Sequence, residues 1–388
     1  MINYGNHFID KRDILSVTKA LKSKKLTQGQ FVEKFEKKLS SVFKSKYSCA
    51  VSNGSAGLHL CCLAIGVKNT NVLISSNTFL SGANAIIHAG GKPSFVDIDL
   101  ETGNISVSEI LKRIKFLKSK KEKISALIAT DYAGSPCDWE SLKKIARKYK
   151  LKLINDNCHA IGAEYKGKSN YATKYADLVV HSYHPVKHIT TAEGGAILTN
   201  EKKFITVVKN LRNHGLEKVL NNKKKLENPM WPYRLVQAGF NYRISDIQCS
   251  LGISQLNKLK KFLKKRREIA KRYDNFFKNF KSVKRQIILK KSKHAYHLYV
   301  IRINFKQNQK KKFINFFAKN KIFLQNHYFP IHLQPYYKKL FKKKFELKNA
   351  VNHFRQSLSL PIYYNLKLSE QKKVTDTFMI LFKKFKII

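Results

Sequence analysis

The amino-acid sequence predicts an α/β fold followed by a smaller α+β domain. Two features of its 388 residues carry that expectation. Apolar runs of strand length (72–75, 124–130, 151–155, 178–180 and 196–198) alternate with stretches of helical periodicity. After Ser245 the alternation gives way to one long helical stripe and then to shorter strands. The division is set at 1–250, a large domain with an N-terminal arm, and 251–388, a small C-terminal domain.

In chain order, residues 1–30 read as an extended arm, a helix over about 10–24 and the loop Leu26-Thr27-Gln28-Gly29-Gln30, with Gly29 as a helix C-cap turn. Phe31, Phe35, Leu39 and Val42 recur at helical spacing. The strand at 49–51 runs into Ser52-Asn53-Gly54-Ser55-Ala56-Gly57 and then a helix to about 65. A strand, a small-residue turn and a helix make an anion site, because the first helical N–H groups have no internal partner and the dipole favours negative charge. Small residues there also let the helix pack closely. Strand 72–75 leads to Asn77-Thr78-Phe79, where Phe79 suits a core position. Strand 93–98 carries Asp97 and Asp99 at its exit, read as solvated strand-end carboxylates without a role. Strand 124–130 delivers Asp131-Tyr132-Ala133-Gly134 at the end where open α/β sheets place ligands. Helix 138–150 and strand 151–155 follow, and at that strand's exit stand Asp156-Asn157-Cys158-His159. Taken alone, Asp156 is an N-cap candidate.

Lys187 lies between the apolar runs 178–180 and 196–198, where lysine is out of place. An ammonium beside strand ends and glycine turns loses solvation, which lowers its pKa and favours the neutral, nucleophilic amine. That is the usual route to a Schiff base. His184 either orients the loop, meets a ligand or fills a core position. After a helix through about 212, residues 213–235 read as an exposed loop. Ser245 reads as the N-cap of a helix running to about 280, with Ile247, Leu251 and Leu259 opening its stripe. A strand over 296–303, a helix over 309–319 and a helix over 369–385 complete the chain.

The net charge of +51 comes from 76 Lys plus Arg against 25 Asp plus Glu. Counterion release rewards lysine patches on nucleic acid. Here the lysines are spread along the chain, and the densest runs (223–225, 310–312 and 342–344) come with no zinc-finger spacing, RNA-binding aromatic motif or basic zipper. The preferred reading is a lysine-rich surface with no specific nucleic-acid partner. Six cysteines without a CxxC or Cys/His pattern point to small core residues in a reducing cytoplasm and to no metal site. Residues 3–13 lack the apolar core of a signal peptide, and no apolar run approaches a membrane span.

The stretch S-Y-H-P-V-K-H-I-T-T-A-E-G-G-A around Lys187 resembles the Schiff-base motif of the DegT/DnrJ/EryC1/StrS sugar aminotransferases, which use pyridoxal phosphate on fold type I. L-T-Q-G at 26–29, S-N-G-S-A at 52–56, T-F-L-S-G-A-N at 78–84, D-N-C-H-A-I-G at 156–162, G-F-N-Y-R at 239–243 and H-Y-F-P-I-H at 327–332 extend the resemblance over nearly the whole chain. It implies a mostly parallel seven-stranded sheet and a pyridoxal 5'-phosphate site with Lys187 and Asp156 as catalytic residues. In that reading Lys187 carries the cofactor and later moves the proton. Asp156 keeps the ring nitrogen protonated, without which the ring is a poor electron sink. His159 lies beside the phenolic oxygen, Phe79 stacks on the ring, and Gly54, Ser55, Ala56 and Ser182 hold the phosphate. Asn241 reaches a neighbouring subunit's phosphate, implying an obligate homodimer with shared sites. Thr27, Gln28, His184, Arg243, His327 and Tyr328 are the substrate contacts. Asn155 departs from the acidic residue commoner at that position.

The activity implied is transfer of an amino group from L-glutamate to the C4 keto group of a UDP-linked 4-keto-6-deoxy-N-acetylhexosamine, as in pseudaminic acid biosynthesis. A positive field would steer such a doubly charged nucleotide sugar. Three alternatives stand beside it: another nucleotide-linked keto sugar (C3, or aminoarabinose type), a sugar dehydratase in which histidine replaces the lysine (His188 adjoins Lys187), and a basic nucleic-acid-binding protein.

Overall fold

The computed structural model describes residues 1–218, 233–341 and 345–385. Its large sheet contains β1 (Tyr47–Val51), β2 (Asn71–Ser75), β3 (Lys92–Val96), β4 (Ile124–Thr130), β5 (Lys152–Asp156), β6 (Leu178–Ser182) and β7 (Gly195–Thr199), in the order β1-β7-β6-β5-β4-β2-β3. Strands β3, β2, β4, β5 and β6 pair in parallel, and only β7 runs against its neighbours β6 and β1. The strands other than β7 therefore end at one edge, and the turns after Val51, Ser75, Thr130, Asp156 and Ser182 gather there. Because β7 returns antiparallel, the whole β6–β7 connection, Lys187 included, stays at that edge. Helices cover both faces, so the strand interiors are almost wholly buried and apolar.

The predicted strands lie within three residues of their observed bounds. Corrections concern the connections. Gly29 does not cap the first helix, which ends at Leu21. It is the N-cap of the helix Gln30–Phe43, and the buried Asp246 carboxylate accepts hydrogen bonds from the N–H groups of Gly29 (2.7 Å), Phe31 (2.8 Å) and Val32 (3.3 Å). Asp97 is not a solvated strand end. It is buried and accepts from Asn349 N and Ala350 N, at the start of the helix Lys348–Gln356. The ends of the expected loop 213–235 pair as antiparallel strands β8 (Leu216–Lys218) and β9 (Tyr233–Leu235). Asn228, Pro229 and the lysine runs at 223–225 and 342–344 lie outside the described residues.

The helix Asp246–Phe277 begins with a capping box, Ser245 Oγ accepting from Gln248 N and Gln248 Oε1 from Ser245 N. Its first half (Cys249, Leu256, Leu259, Phe262) belongs to the core of the large sheet, and its second half (Ile269, Tyr273, Phe277) to a separate core. The expected division at 250/251 thus falls inside this helix. The second core is built on a three-stranded antiparallel sheet, β10 (Val283–Arg285), β11 (Tyr299–Ile303) and β12 (Ser357–Leu360), and on the helix Leu368–Lys384. The N-terminal arm joins it: Ile2 N donates to Lys321 O and Ile2 O accepts from Phe323 N, both at 2.8 Å. Strand β11 starts at Tyr299 rather than 296, because Tyr296 has a positive φ of 52° that turns residues 295–298 out of the sheet.

Candidate active site

A cleft of about 520 Å³ opens where the ends of β1, β5 and β6 face the small domain and the arm. Ten of the predicted residues line it: Gly54, Ser55, Phe79, Asp156, His159, Ser182, His184, Lys187, His327 and Tyr328.

The turn after β1 forms because Asn53 caps the helix Gly54–Ile65, its Oδ1 accepting from Ala56 N at 2.8 Å. That leaves the Gly54 and Ser55 end facing the cleft. Ala56 corrects the expectation: it is buried, its N–H is taken by Asn53, and it does not line the cleft. The turn packs tightly on its neighbours. A Cβ on Gly54 would stand 2.9 Å from Ser182 Cβ, and one on Gly195 would stand 2.6 and 2.7 Å from Asn53 C and O.

Asp156, at the last position of β5, is buried. Its Oδ2 accepts from Thr130 Oγ1 (3.1 Å) and its Oδ1 from Cys158 N (3.2 Å), so its direction is fixed by the strand beside it and by its own turn. The Lys187 loop is closed by Tyr183 N donating to Gly194 O (2.8 Å) and Thr191 N to Tyr183 O (3.0 Å). Lys187 Nζ is 3.4 Å from His297 Nε2. Burial pushes this amine below the ordinary lysine value, while Cys158 and Asp156 act the other way. Burial, with the Lys187 charge next, holds the His159 imidazole well below its usual value and therefore neutral. His159 Nε2 meets Tyr328 OH at 3.0 Å, and its buried Nδ1 has no partner among the described residues. His327 is pushed down to about 3 by burial and is held by Ser359 Oγ on its Nδ1 (2.8 Å) and by Tyr132 OH donating to its carbonyl (2.6 Å). Phe79 is 54% exposed at the rim, a large apolar ring facing the cleft without a cover.

Thr27, Gln28, Asn241 and Arg243 do not line this cleft. Thr27 bridges to Ser245, Gln28 is exposed, Asn241 bridges to Asn213 and is exposed, and Arg243 Nη1 donates to Asn213 Oδ1 at 2.9 Å. Asp131, at a strand exit, faces inward and accepts from Cys137 N, Trp139 Nε1 and Tyr171 OH. His188 is buried away from the cleft, with Nε2 on Ala295 O at 3.1 Å. Sequence reasoning missed Tyr4, Asn53, Ser81, Cys158, Val186, Glu193 and His297, all of which line the cleft. For Asn53 the signal was present, since Asn before a small-residue helix start is a cap. For Tyr4 and His297 no local signal exists, because both arrive from elements distant in sequence.

These residues fit pyridoxal phosphate: N–H groups at a helix start beside a hydroxyl for the phosphate, a fixed buried carboxylate, an unpartnered imidazole nitrogen, an uncovered aromatic ring and a desolvated lysine. Among the described residues no group of three His, Cys, Asp or Glu is arranged to hold a metal, and no helix is long and apolar enough to cross a membrane.

A mostly parallel seven-stranded sheet with a carboxylate at one strand exit and a lysine on the next connection defines a fold type I aminotransferase. The chain belongs to the DegT/DnrJ/EryC1/StrS aminotransferase family, whose signature matches residues 7–379. It is 37% identical over 389 residues to the UDP-4-amino-4,6-dideoxy-N-acetyl-beta-L-altrosamine transaminase of Campylobacter jejuni, covering 100% of this chain and 99% of that one. It is 31% identical over 320 residues to the GDP-perosamine synthase of Escherichia coli, covering 82% and 81%. Among solved structures, Helicobacter pylori PseC, an aminotransferase involved in the biosynthesis of pseudoaminic acid, superposes with a TM-score of 0.89 at 30% identity, covering 99% of each chain.

Proposed function

We propose that this chain moves an amino group from L-glutamate to the C4 keto carbon of a UDP-linked 4-keto-6-deoxy-N-acetylhexosamine, with pyridoxal phosphate as cofactor. The observation that carries the reading is Lys187, an amine desolvated at a strand edge in the same cleft as Asp156, in a chain matched end to end by the altrosamine transaminase. When bound, the cofactor supplies an electron-withdrawing ring that makes the donor's α-proton acidic.

The rest is the work of this chain's own side chains. Gly54, Ser55 and Ser182 bind the phosphate. Asp156, oriented by Thr130 and the Cys158 N–H, would hold the proton at the ring nitrogen. Phe79 covers one face. His159, kept neutral, would donate from its unpartnered Nδ1 to the cofactor's phenolic oxygen while Tyr328 holds Nε2. Lys187 would hold the cofactor through its amine, and that amine, when free, would take up and return the donor's α-proton. His184, His327 and Tyr328 bind substrate, and Asn241 and Arg243 serve the cleft of a second copy in a homodimer. The lowered pKa of Lys187 keeps a larger fraction of this amine nucleophilic near neutral pH than an exposed lysine offers.

The test is the absorption spectrum of purified protein supplied with pyridoxal phosphate, with and without glutamate, beside Lys187→Ala. Bleaching of the lysine-linked band by glutamate in the wild type alone supports the reading, and a wild type that never acquires the band defeats it. Incubation with UDP- and GDP-linked 4-keto sugars, read by mass spectrometry, then assigns the acceptor. The GDP sugar is included because GDP-perosamine synthase is also similar to this chain. A dehydratase with histidine in the lysine's role is disfavoured because His188 bonds to Ala295 O rather than facing the cleft.

A further inference from the structure

His297 lines the cleft and has no part in the roles just assigned. His297 comes from the turn before β11 and places Nε2 3.4 Å from Lys187 Nζ. It is 4% exposed, its ring centre is 4.3 Å from that of His159, and its Nδ1 is buried without a partner among the described residues. A buried polar atom left unpaired is costly and asks for a reason.

The backbone around it is held from several directions. Ala295 N donates to Gly134 O (2.9 Å) and Leu298 N to Ala133 O (3.0 Å). Arg266, 2% exposed, has no carboxylate partner among the described residues. Its Nη1 donates to the carbonyls of Ile362 (2.8 Å), Tyr296 (3.0 Å) and His297 (3.4 Å). A Cβ on Gly134 would stand 2.8 Å from Tyr296 N, so this turn lies as near the β4 exit as a glycine allows. From the lysine side, His188 bonds to Ala295 O. The residue after Lys187 is therefore tied to the turn that carries His297, and the two reacting-side loops are fixed to each other. Burial first, then Lys187, His159, His188 and Arg266, keep the imidazole neutral. A neutral imidazole serves an amine in either protonation state: Nε2 accepts from an ammonium, and the other tautomer donates to a free amine.

We propose that His297 is a positioning residue for Lys187, holding the released amine at the height of the reacting carbon while it carries the donor's proton. The inference rests on the aminotransferase reading. The amine takes the proton from the donor's α-carbon and becomes an ammonium that donates to Nε2, and it gives the same proton back in the next step, so nothing is consumed.

Two measurements test it. The first uses the full-length, cofactor-free protein labelled with ¹⁵N-histidine. The Nε2 resonance of His297, assigned by its loss in His297→Gln, is expected to move when Lys187 becomes Met. An unmoved resonance overturns the pairing. The second is the single-turnover reaction of the loaded enzyme with glutamate and with α-deuterated glutamate. His297→Phe is expected to slow it by about 100-fold, the loss produced by misplacing a reacting group by roughly an ångström. The isotope effect should rise, and His297→Gln should restore part of the rate. A slower reaction with an unchanged isotope effect and no recovery in the glutamine variant marks a merely structural role and overturns the proposal. Should the wild type show no glutamate reaction, the aminotransferase reading has failed, and the cofactor-free spectrum still decides whether His297 holds Lys187.

Discussion

Gly195→Ala tests the cofactor cradle without touching a side chain that lines it. Gly195 opens β7, with Val51 of β1 opposite it on one side and Ser182 of β6 on the other. A Cβ there would lie 2.6 Å from Asn53 C, 2.7 Å from Asn53 O and 2.8 Å from Gly54 N. These are backbone atoms, so no rotamer change relieves the clash, and β7 is held on both sides and cannot retreat. The shortest contact falls about 0.8 Å short of ordinary van der Waals distance, so the turn at 53–54 must yield by most of that amount. Overpacking of this kind costs about 1–3 kcal/mol. Where the displaced backbone is itself the anion site, that cost appears in phosphate affinity, and 1.36 kcal/mol is tenfold in an equilibrium constant. The expected result is a weakening of pyridoxal phosphate binding by about 10- to 100-fold, read by titrating the cofactor-free variant and following the absorption band. The urea unfolding midpoint should also fall. A dissociation constant within twofold of wild type, with an unchanged midpoint, would refute the placement of the phosphate against residues 53–55.

Three further outcomes follow from the same geometry. Asp156→Asn removes the charge at the ring nitrogen while keeping one acceptor, Oδ1 for Cys158 N, and turning an amide N–H toward Thr130 Oγ1, and the glutamate half-reaction should slow by about 10²–10³-fold in stopped-flow absorbance with the fold intact by circular dichroism. Burial holds His181, His294, His327 and His353 at about 3, below the ordinary 6.5. The unfolded chain binds more protons than the native one between those values, so stability should fall as pH drops from about 6.5 toward 3, by up to about 1.4 kcal/mol per pH unit per histidine. Urea midpoints that stay flat between pH 7 and 5 would contradict it. Lys187 works with the same sign: its folded pKa is depressed, so the ammonium's cost is present at neutral pH and disappears only above the ordinary lysine range. Lys187→Met should therefore raise the unfolding midpoint of the cofactor-free protein at pH 7, and a lower midpoint would show the amine to be better solvated than its burial indicates.

What the sequence made legible was local chemistry at strand exits. Lys187 stood out because it follows an apolar strand by only a few residues, whereas Asp156 and His159 were picked out by the resemblance of D-N-C-H-A-I-G at the exit of β5; all three line the cleft. Ser245 was readable because its cap lies in its own segment. What escaped depended on distant backbone. His297 was taken into a strand because 296–303 is apolar enough to be one, and the segment leaves the sheet only because Ala133, Gly134 and Arg266 bind it. Gly29 looked like the end of one helix and is the start of the next because a carboxylate more than two hundred residues away supplies its cap. Asp97 looked solvated because the helix that covers it begins at Lys348. The Tyr4 ring lies 5.2 Å from that of His327 only because the arm is pinned at Ile2 and by Ile362 N donating to Tyr4 O.

The same examples explain how a chain of net charge +51 keeps a defined cleft. Its acids are few, and several of them are spent inside on neutral groups rather than on surface lysines. Asp246 holds a helix start, Asp97 holds another, and Asp131 binds Cys137 N, Trp139 Nε1 and Tyr171 OH. Arg266 does the converse, binding carbonyls of the turn that carries His297. A buried charge that meets several fixed dipoles is satisfied without an opposite charge, and removing it strands every group it held. Exposed lysines act at high dielectric and are screened within about a Debye length, so their excess raises the field around the protein and leaves these interior clamps untouched. The site therefore depends on a handful of interior charges that lie outside the cleft. Loss of Asp246 or Arg266 should disturb it more than loss of any cluster of surface lysines.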